Sequence, residues 1–453
     1  MIIEHSPQNR PYGLLLLLSL MPLCGSAAAQ VERISLATDG TQADKGSYQA
    51  VVSDDGSVIA YRSNATNLVE TDTNGWSDIF LRDLTAGTTE RISLTTSGGQ
   101  VSSYSKAPSI SADGQRIVFE GRLSGFSDIT TVVVFDRATD TVLDPLPDTV
   151  SGVATTPARA RIDPSISGDG RFFVFQTVSP LTSAFPSDIR PTTTDSDNLP
   201  DVYLYDLDTT PTPPLEHVSR FTDNPDLSAE LQADNRNPFL SKTGRYVVFE
   251  SFSDQLADDD NNQADILRKD RDTGLLQLVS ATQAGTSGNA ASLEPAVSDD
   301  GNVVAFRSGA SDLVAGDTNG RLDIFVRDVS AGVTERVSVA SDGSEANQNS
   351  FEPDISGDGR FVVFRSNATN LVPGDTNRRP DIFVHDRVSG ATERIGQPPG
   401  GQSNGSSANP SISGDGRWIV FESDASNLVL NDTNEARDVF RAPNPLFPVR
   451  GGE

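Results

Sequence analysis

The stretch that decides the fold is residues 410–421, which reads PSISGDGRWIVF. A short segment, Pro410–Ser413, leads into Gly414-Asp415-Gly416, and the Asp-Gly pair permits the positive φ that a tight hairpin requires. The run Trp418–Phe421 is continuously apolar, which is typical of a strand that is covered on both faces. The stretch therefore predicts a hairpin whose second strand lies inside a larger β-structure.

This hairpin recurs along the chain, and each copy has a turn that ends in glycine. The turn glycines are Gly56, Gly114, Gly170, Gly244, Gly301, Gly359 and Gly416, which are 58, 56, 74, 57, 58 and 57 residues apart. A fixed period of this length is typical of solenoids and propellers rather than of independent domains. The long interval contains an insertion at 180–194 and the Pro-rich segment 211–214.

Two more strands complete each period. The third is Asp323–Asp328, repeated as Asp381–Asp386, and the fourth is Thr334–Ser338, which alternates polar and apolar residues as an outer edge strand does. Four antiparallel strands per period, repeated radially, predict an all-β fold, a seven-bladed β-propeller.

The two ends of the repeated region predict how the ring closes. The seventh repeat stops after its third strand, Asp438–Arg441, while Val31–Leu36 matches the fourth-strand segment Thr89–Leu94 without a repeat of its own. We therefore expect the N-terminal strand to complete the last blade, which leaves no open edge in the ring.

The first residues have the pattern of a secretory signal peptide. Arg10 precedes an apolar run, Leu14–Leu20, and Ala27-Ala28-Ala29 is a small-residue cleavage site. We divide the chain into a signal peptide at 1–29, one propeller at 30–445 and a C-terminal tail at 446–453. The prediction is a secreted or periplasmic protein without a transmembrane span, and Cys24, the only cysteine, is lost with the signal.

The repeated unit Pro-Ser-Ile-Ser-x-Asp-Gly-Arg with a following Phe-Val-Val-Phe resembles the WD40-like repeat of TolB-type propellers. The resemblance covers about residues 47–441 and implies a bacterial propeller that is secreted or periplasmic. Oligogalacturonate lyase is also a propeller built from similar repeats. The resemblance therefore keeps an enzymatic role open beside a binding role.

A second motif, Asp-x-Asn-x-x-x-Asp or its Asp-x-Asp variant, occurs once in six of the repeats and places oxygen-bearing side chains on a loop before the third strand. Calcium binds six to eight oxygens from such groups, so these side chains are candidate ligands for calcium as a stabilising cofactor. The candidates are Asp72, Asn74 and Asp78; Asp195, Asp197 and Asp201; Asp259, Asn261 and Asp265; Asp317, Asn319 and Asp323; Asp375, Asn377 and Asp381; Asp432, Asn434 and Asp438.

Turn chemistry explains the same motif without metal, since Asp and Asn bond their own backbone in Asx-turns. The second repeat has Thr131 in place of the third Asp, and we expect no ion there. The fourth repeat has the densest acidic loop, Asp258–Asn261, and is the best single candidate for calcium.

The net charge of −28 makes nucleic acid an unfavourable partner, because a phosphate backbone would be repelled. After signal removal the only histidines are His217 and His385, and we expect His385 to face solvent because it replaces an arginine of the matching strands. No catalytic residue is predicted. The leading hypothesis is a monomeric, non-catalytic scaffold that binds a protein or glycan, and the alternative is a polysaccharide lyase or glycosidase that uses the propeller channel.

Overall fold

The computed structural model of the protein describes residues 31–122, 130–145, 149–150, 153–154, 161–177, 199–208, 215–220, 233–254, 256, 258–259, 261–399 and 401–448. These residues form seven four-stranded antiparallel sheets, and none of them is helical. The predicted seven-bladed β-propeller is therefore confirmed. The predicted signal peptide, the insertion at 180–194 and the segment 211–214 lie outside the described residues.

The strands follow the repeat. Strand β1 (Glu32–Arg33) precedes the first blade. Blade 1 is β2 (Ser47–Val52), β3 (Val58–Ser63), β4 (Asp78–Asp83) and β5 (Thr88–Arg91); blade 2 is β6 (Lys106–Ile110), β7 (Arg116–Gly121), β8 (Thr131–Asp136) and β9 (Thr141–Leu143). A two-stranded ribbon follows, β10 (Thr149–Val150) and β11 (Val153–Ala154). Blade 3 is β12 (Arg161–Ile166), β13 (Phe172–Thr177), β14 (Asp201–Asp206) and β15 (Leu215–His217).

The remaining blades have the same order. Blade 4 is β16 (Asn235–Leu240), β17 (Tyr246–Ser251), β18 (Asp265–Asp270) and β19 (Leu276–Leu278); blade 5 is β20 (Ser292–Val297), β21 (Val303–Ser308), β22 (Asp323–Asp328) and β23 (Val333–Arg336). Blade 6 is β24 (Ser350–Ile355), β25 (Phe361–Ser366), β26 (Asp381–Asp386) and β27 (Ala391–Arg394); blade 7 is β28 (Ser407–Ile412), β29 (Trp418–Ser423) and β30 (Asp438–Pro443).

The apolar core lies between neighbouring blades. Val326 of blade 5 belongs to one buried cluster with Val362, Phe364 and Phe383 of blade 6, and every residue of that group is fully buried. The second and third strands are covered on both faces, as their continuous apolar runs predict. Each sheet thus gains its stability from the sheets on either side of it.

Strand β1 completes blade 7. Glu32 pairs with Arg441 and Arg33 with Phe440, and the next residue, Ile34, donates its N–H to the carbonyl of Val439 at 2.8 Å. Ile34 is fully buried and packs in one cluster with Val439. Full burial of such a side chain contributes roughly 1.5–3 kcal/mol. The predicted ring closure is confirmed.

The antiparallel order separates two faces of the ring. The Asp-Gly turns between first and second strands lie at one end, which we call the turn face. The Asp-x-Asn-x-x-x-Asp segments between second and third strands lie at the other end, with the connections to the next blade, and we call this the loop face. The candidate calcium ligands that the structure describes therefore share one face of the molecule.

Candidate functional site

The acidic loops share one hydrogen-bond pattern, which blade 5 illustrates. Asn319 Nδ2 donates to Asp323 Oδ2 at 2.7 Å and to the carbonyl of Ala346 at 3.2 Å, and Asn319 Oδ1 accepts from the N–H of Arg321 at 2.7 Å. The last contact is an Asx-turn. The asparagines of blades 1, 4, 6 and 7 make the same contacts: Asn74, Asn261, Asn377 and Asn434. The asparagine thus ties its own loop to the connection that leads into the next blade.

The third Asp of the motif is held by a serine that follows the fourth strand. In blade 5, Ser338 Oγ donates to Asp323 Oδ1 at 2.6 Å and accepts from the N–H of Ile324 at 3.0 Å. The same pair occurs as Ser93–Asp78, Ser219–Asp201, Ser280–Asp265 and Ser35–Asp438. Blade 6 has Gly396 at this place, where φ is +71° and a Cβ would lie 2.7 Å from Phe421. A serine would not fit there.

An arginine of the fourth strand neutralises the carboxylates in four blades. Arg336 Nη1 lies 2.9 Å from Asp317, 3.7 Å from Asp323 and 2.7 Å from Glu345, and its side chain is 9% exposed. The equivalent pairs are Arg91–Asp72, Arg394–Asp375, Arg394–Asp381, Arg33–Asp432 and Arg33–Asp438. In these blades a guanidinium lies against the carboxylates. Calcium there stays a prediction, and the ion would have to displace the arginine.

Blades 3 and 4 have other residues at the arginine position. Strand register defines the position, since Arg336 is opposite Phe325 just as His217 is opposite Tyr203 and Leu278 is opposite Leu267. His217 Nε2 lies 3.3 Å from Asp201 Oδ1, and its ring stacks on Tyr203. Leu278 is half-buried and apolar, so it supplies no positive charge to the loop of blade 4.

The carboxylates of blade 4 are buried all the same. Asp265 is fully buried and Asp259 is 3% exposed. The Asp259 carboxyl lies beside the backbone N–H of Asn261 and the carboxyl of Asp265, and among the described residues no donor makes a hydrogen bond of normal geometry with it. Burial raises the pKa of the Asp259 carboxyl, and the neighbouring carboxyls of Asp265 and Asp254 raise it further. Burial also raises the pKa of Asp265. Burial is the largest cause of both shifts, and it also raises the pKa of Asp317 and Asp323 in blade 5, where Arg336 opposes the rise.

The structure accounts for the other predicted ligands as follows. Asp195 and Asp197 lie outside the described residues. Thr131, expected to break the motif in blade 2, begins β8 and is buried. Within the described ranges, no group of three or more His, Cys, Asp or Glu side chains is arranged to hold a metal ion. Calcium at any loop would therefore need amide, backbone or water oxygens in addition to carboxylates.

Sequence reasoning overlooked the serine and the arginine because both lie in the next strand rather than in the motif. A signal for them exists. The segment Thr89–Ser93 reads TERIS and Thr334–Ser338 reads TERVS, whereas residues 276–280 read LQLVS. Aligning the fourth strands therefore singles out blade 4 as the blade in which leucine replaces the arginine.

On the turn face, the seven first turns close a ring of backbone hydrogen bonds around the propeller axis. We call it the turn ring. In each bond the N–H of the first residue donates to the carbonyl of the second, with N···O distances of 2.9–3.2 Å. The pairs are Asp54–Ala112, Ala112–Gly168, Asp169–Lys242, Lys242–Asp299, Asp299–Gly357, Gly357–Gly414 and Asp415–Asp54. Lys242 Nζ reaches from blade 4 to Asp54 of blade 1 at 2.5 Å and to Asp299 of blade 5 at 3.0 Å. This ion pair spans the end of the axis, from blade 4 to blade 1.

Below the turn ring, the inner strands form a second ring, which we call the carboxylate belt. Each inner strand has one residue with positive φ at a β-bulge: Gln49, Ala107, Asp163, Asn237, Glu294, Glu352 and Asn409. The N–H of each donates to a side chain of the preceding blade; Glu352 N–H, for example, donates to Glu294 Oε2 at 2.8 Å. The other acceptors are Glu422, Gln49, Glu120, Gln176, Glu250 and Glu352.

Burial shapes the chemistry of this belt. It raises the pKa of the carboxyls of Glu120, Glu250 and Glu422, which are each at most 4% exposed. Their oxygens accept hydrogen bonds from the backbone of the neighbouring blade, so their position is fixed by the architecture. The belt holds successive blades together along the axis.

The expectation that His385 faces solvent is wrong. His385 is 6% exposed, and its Nδ1 forms a hydrogen bond of 2.9 Å with Thr392 Oγ1. Thr392 Oγ1 in turn donates to the carbonyl of Val339 of the preceding blade. Neighbouring blades cover the third strand on both faces, so even a polar residue of this strand, such as His385, is buried. Burial lowers the pKa of His385.

Three solved structures are similar to this chain. Oligogalacturonate lyase in complex with manganese matches at 14% identity with a TM-score of 0.53, over 93% of this chain and 95% of that chain. The β-propeller domain of the Trilobed protease from Pyrococcus furiosus matches at 11% identity with a TM-score of 0.51, over 88% and 94%. TolB from Acinetobacter baumannii matches at 18% identity with a TM-score of 0.36, over 64% of this chain and 53% of TolB, about half its length.

No protein-family model matches the chain, and no curated protein matches it. The fold is a seven-bladed β-propeller, and at these identities the likeness to oligogalacturonate lyase and to the protease propeller extends to the fold alone. Among the described residues, none belongs to a helix of the length and apolarity that a membrane crossing requires.

Proposed function

We propose that the protein is a non-catalytic scaffold, secreted or periplasmic, that binds a protein or glycan partner and is stabilised by calcium. The observation that carries this proposal is the closed turn ring, with Lys242 bridging Asp54 and Asp299 across the axis. A polymer that enters from the loop face meets the Lys242–Asp54 ion pair at the turn face. This geometry disfavours an enzyme that threads a polysaccharide through the channel.

Both described histidines and the buried glutamates, which are candidates for acid–base chemistry, are engaged in structural contacts. A general acid or base must reach the proton that it transfers, within hydrogen-bond distance of the substrate. His217 pairs with Asp201 against Tyr203, His385 bonds Thr392, and the buried glutamates of the carboxylate belt accept backbone N–H groups of the next blade. These contacts support a binding role over a catalytic one.

The net charge of the protein limits the chemical classes of partner that it can bind. A net charge of −28 repels polyanions, including polymers of uronic acids, and favours a basic protein surface or a neutral glycan. Association with a basic partner would be steered by charge and would weaken as salt concentration rises.

The binding test uses the purified mature protein and two probe sets, neutral oligosaccharides and small basic proteins, measured by biolayer interferometry at low and high salt. We expect saturable binding to a member of one set, with a salt-sensitive association rate if that member is a basic protein. Equal, non-saturable signal from every probe would contradict a specific scaffold.

The alternative function is a polysaccharide lyase or glycosidase. One observation favours it: the match to oligogalacturonate lyase extends over nearly the whole of both chains. Incubation with polygalacturonate and with neutral polysaccharides, followed by ultraviolet absorbance of unsaturated products and by reducing-end release, tests it. Our proposal expects no turnover, and cleavage of any member above a heat-inactivated control would replace it.

The calcium part of the proposal has its own test, which is thermal unfolding with calcium and with a chelator. Loops of this kind suit the weak affinities, about 10⁻⁴–10⁻³ M, of extracellular calcium modules. We expect the midpoint to fall when calcium is removed. An unchanged midpoint at millimolar calcium would remove calcium from the proposed function and leave the binding role standing.

A further inference from the structure

Among the acidic loops that the structure describes, the loop of blade 4 lacks the repeated charge compensation. Its Asn261 and Ser280 make the contacts that the other blades make, so the loop has the common shape. The difference lies at Leu278, which stands where Arg336 of blade 5 and three equivalent arginines stand. The loop keeps its two carboxylates and loses its guanidinium.

The surroundings of Asp259 make this loss costly. The charged neighbours that act on Asp259 are the carboxyls of Asp265 and Asp254, both of the same sign. Asp259 is 3% exposed, and its carboxyl lies beside the N–H of Asn261 and the carboxyl of Asp265, with no hydrogen bond of normal geometry from the described residues. An unpaired buried carboxylate is strongly unfavourable unless a cation, a donor or a proton compensates it.

We propose that a calcium ion binds between Asp259 and Asp265 and takes the place that the arginine side chain occupies in blades 1, 5, 6 and 7. This inference deepens the calcium part of the proposed function, on which it rests, by confining it to one blade. The two carboxylates supply the charge, and water completes the flexible oxygen shell that calcium accepts.

The chemistry of the site selects the class of ion. The available protein ligands are oxygen atoms, which suit hard cations such as calcium and magnesium rather than zinc or copper. Calcium tolerates irregular geometry, whereas magnesium demands a near-octahedral shell. In blade 5 an entering ion must displace Arg336 from three carboxylates, whereas in blade 4 the residue at that position, Leu278, has no charge to displace.

The test is a charge swap at the arginine position. Leu278→Arg supplies the missing guanidinium, and Leu278→Gln is the matched control that changes polarity without charge. Wild type and Leu278→Gln should gain about 2 °C or more in unfolding midpoint at millimolar calcium, and Leu278→Arg should gain none. Asp259→Asn should also lose the response, and calorimetric titration with calcium alone should show one site in wild type.

The outcomes separate the two proposals. A calcium response that persists in Leu278→Arg and in Asp259→Asn overturns the blade 4 site but leaves calcium stabilisation through other loops. No calcium response in wild type overturns both calcium proposals; this is the result expected if Asp259 and Asp265 share a proton instead of an ion. The binding role would then still be judged by the binding assay. If Leu278→Arg does not fold, the Asp259→Asn titration decides.

Discussion

Blades 4 and 5 are neighbours with nearly the same acidic loop, and they compensate its charge in different ways. Asn261 and Asn319 make equivalent contacts, and so do Ser280 and Ser338. The fourth strand differs, because blade 5 has an arginine where blade 4 has Leu278. The shape of the loop is therefore set by Asn and Ser, and its electrostatic balance is set by one residue of another strand.

Because the loop shape and the charge balance depend on different residues, the motif alone does not predict which loop binds calcium. A buried ion pair contributes little net stability compared with an apolar replacement, but removal of one partner is costly. A blade that keeps its arginine has no need of an ion. A blade that has lost its arginine keeps buried carboxylates that need one.

The largest expected effect comes from making blade 5 resemble blade 4. Arg336→Leu leaves Asp317, Asp323 and Glu345 without their shared counter-charge, and we expect a loss of about 3–5 kcal/mol in the free energy of unfolding. Urea unfolding without calcium measures it. Leu278→Gln, at the equivalent place in blade 4, is the control with little change. A loss of less than about 1 kcal/mol in Arg336→Leu would mean that the arginine does not compensate the loop.

A second prediction concerns what the two blades share. Ser280→Ala and Ser338→Ala each remove a charge-assisted hydrogen bond to a buried carboxylate, which contributes about 1.5–3 kcal/mol. The same serine oxygen also accepts a backbone N–H in both blades. We expect similar losses in the two variants by denaturant unfolding. A loss in blade 5 with no loss in blade 4 would show that the loops are not equivalent in shape.

The fold could be predicted almost completely from the sequence, and the reasons are physical. The hairpin of residues 410–421 fixes two strands per repeat through its Asp-Gly turn and its apolar run. The match of Val31–Leu36 to Thr89–Leu94 fixes the closure, which the pairing of Arg33 with Phe440 confirms. Period and strand pattern are local signals, so they can be read without knowing which strands are neighbours.

The site could be predicted only in part. The Asp and Asn positions follow from the motif, but their partner Arg336 lies in the following strand, and its contact depends on strand register. The turn ring depends on contacts between blades that no local pattern encodes, although the lysine in Ser241-Lys242-Thr243-Gly244 marks the unusual turn. His385 was misplaced because an arginine at the matching position was taken to face solvent, whereas Arg327 there is itself buried between blades.

A third, smaller effect is expected from making blade 4 resemble blade 5. Leu278→Arg places a positive charge beside Asp259 and Asp265, and we expect the calcium-free protein to gain about 1 kcal/mol. Urea unfolding in the presence of chelator measures the gain. A clear loss of stability would show that the arginine cannot reach the carboxylates from this position.

The smallest effect concerns the turn face, where blade 4 has the arginine and blade 5 does not. Arg245 of blade 4 binds Asp270 through two hydrogen bonds, while blade 5 has Asn302 at the same place beside Asp328. The bonds from Arg245 lower the pKa of Asp270 to about 2. A lowered folded-state pKa gives stability that is present above the usual value of 3.8 and is lost as pH falls toward 2.

Replacing this arginine should therefore remove a small part of the stability at neutral pH and leave the stability near pH 2 almost unchanged. Arg245→Asn, which copies blade 5, should lower the neutral midpoint slightly, by an amount that solvent screening keeps small, so that less stability is lost between about pH 4 and pH 2. Thermal midpoints across that range measure it. Asn302→Ala in blade 5 is the control, and an unchanged acid limb in Arg245→Asn would contradict the assignment.

The most direct measurement of the central claim is a count of calcium ions per chain by native mass spectrometry of the purified mature protein. The difference between blades 4 and 5 predicts one bound calcium in wild type, none in Leu278→Arg, and one in Leu278→Gln. Several ions per chain, or one ion that remains bound in Leu278→Arg, would contradict the claim that the fourth-strand residue decides where the cation binds.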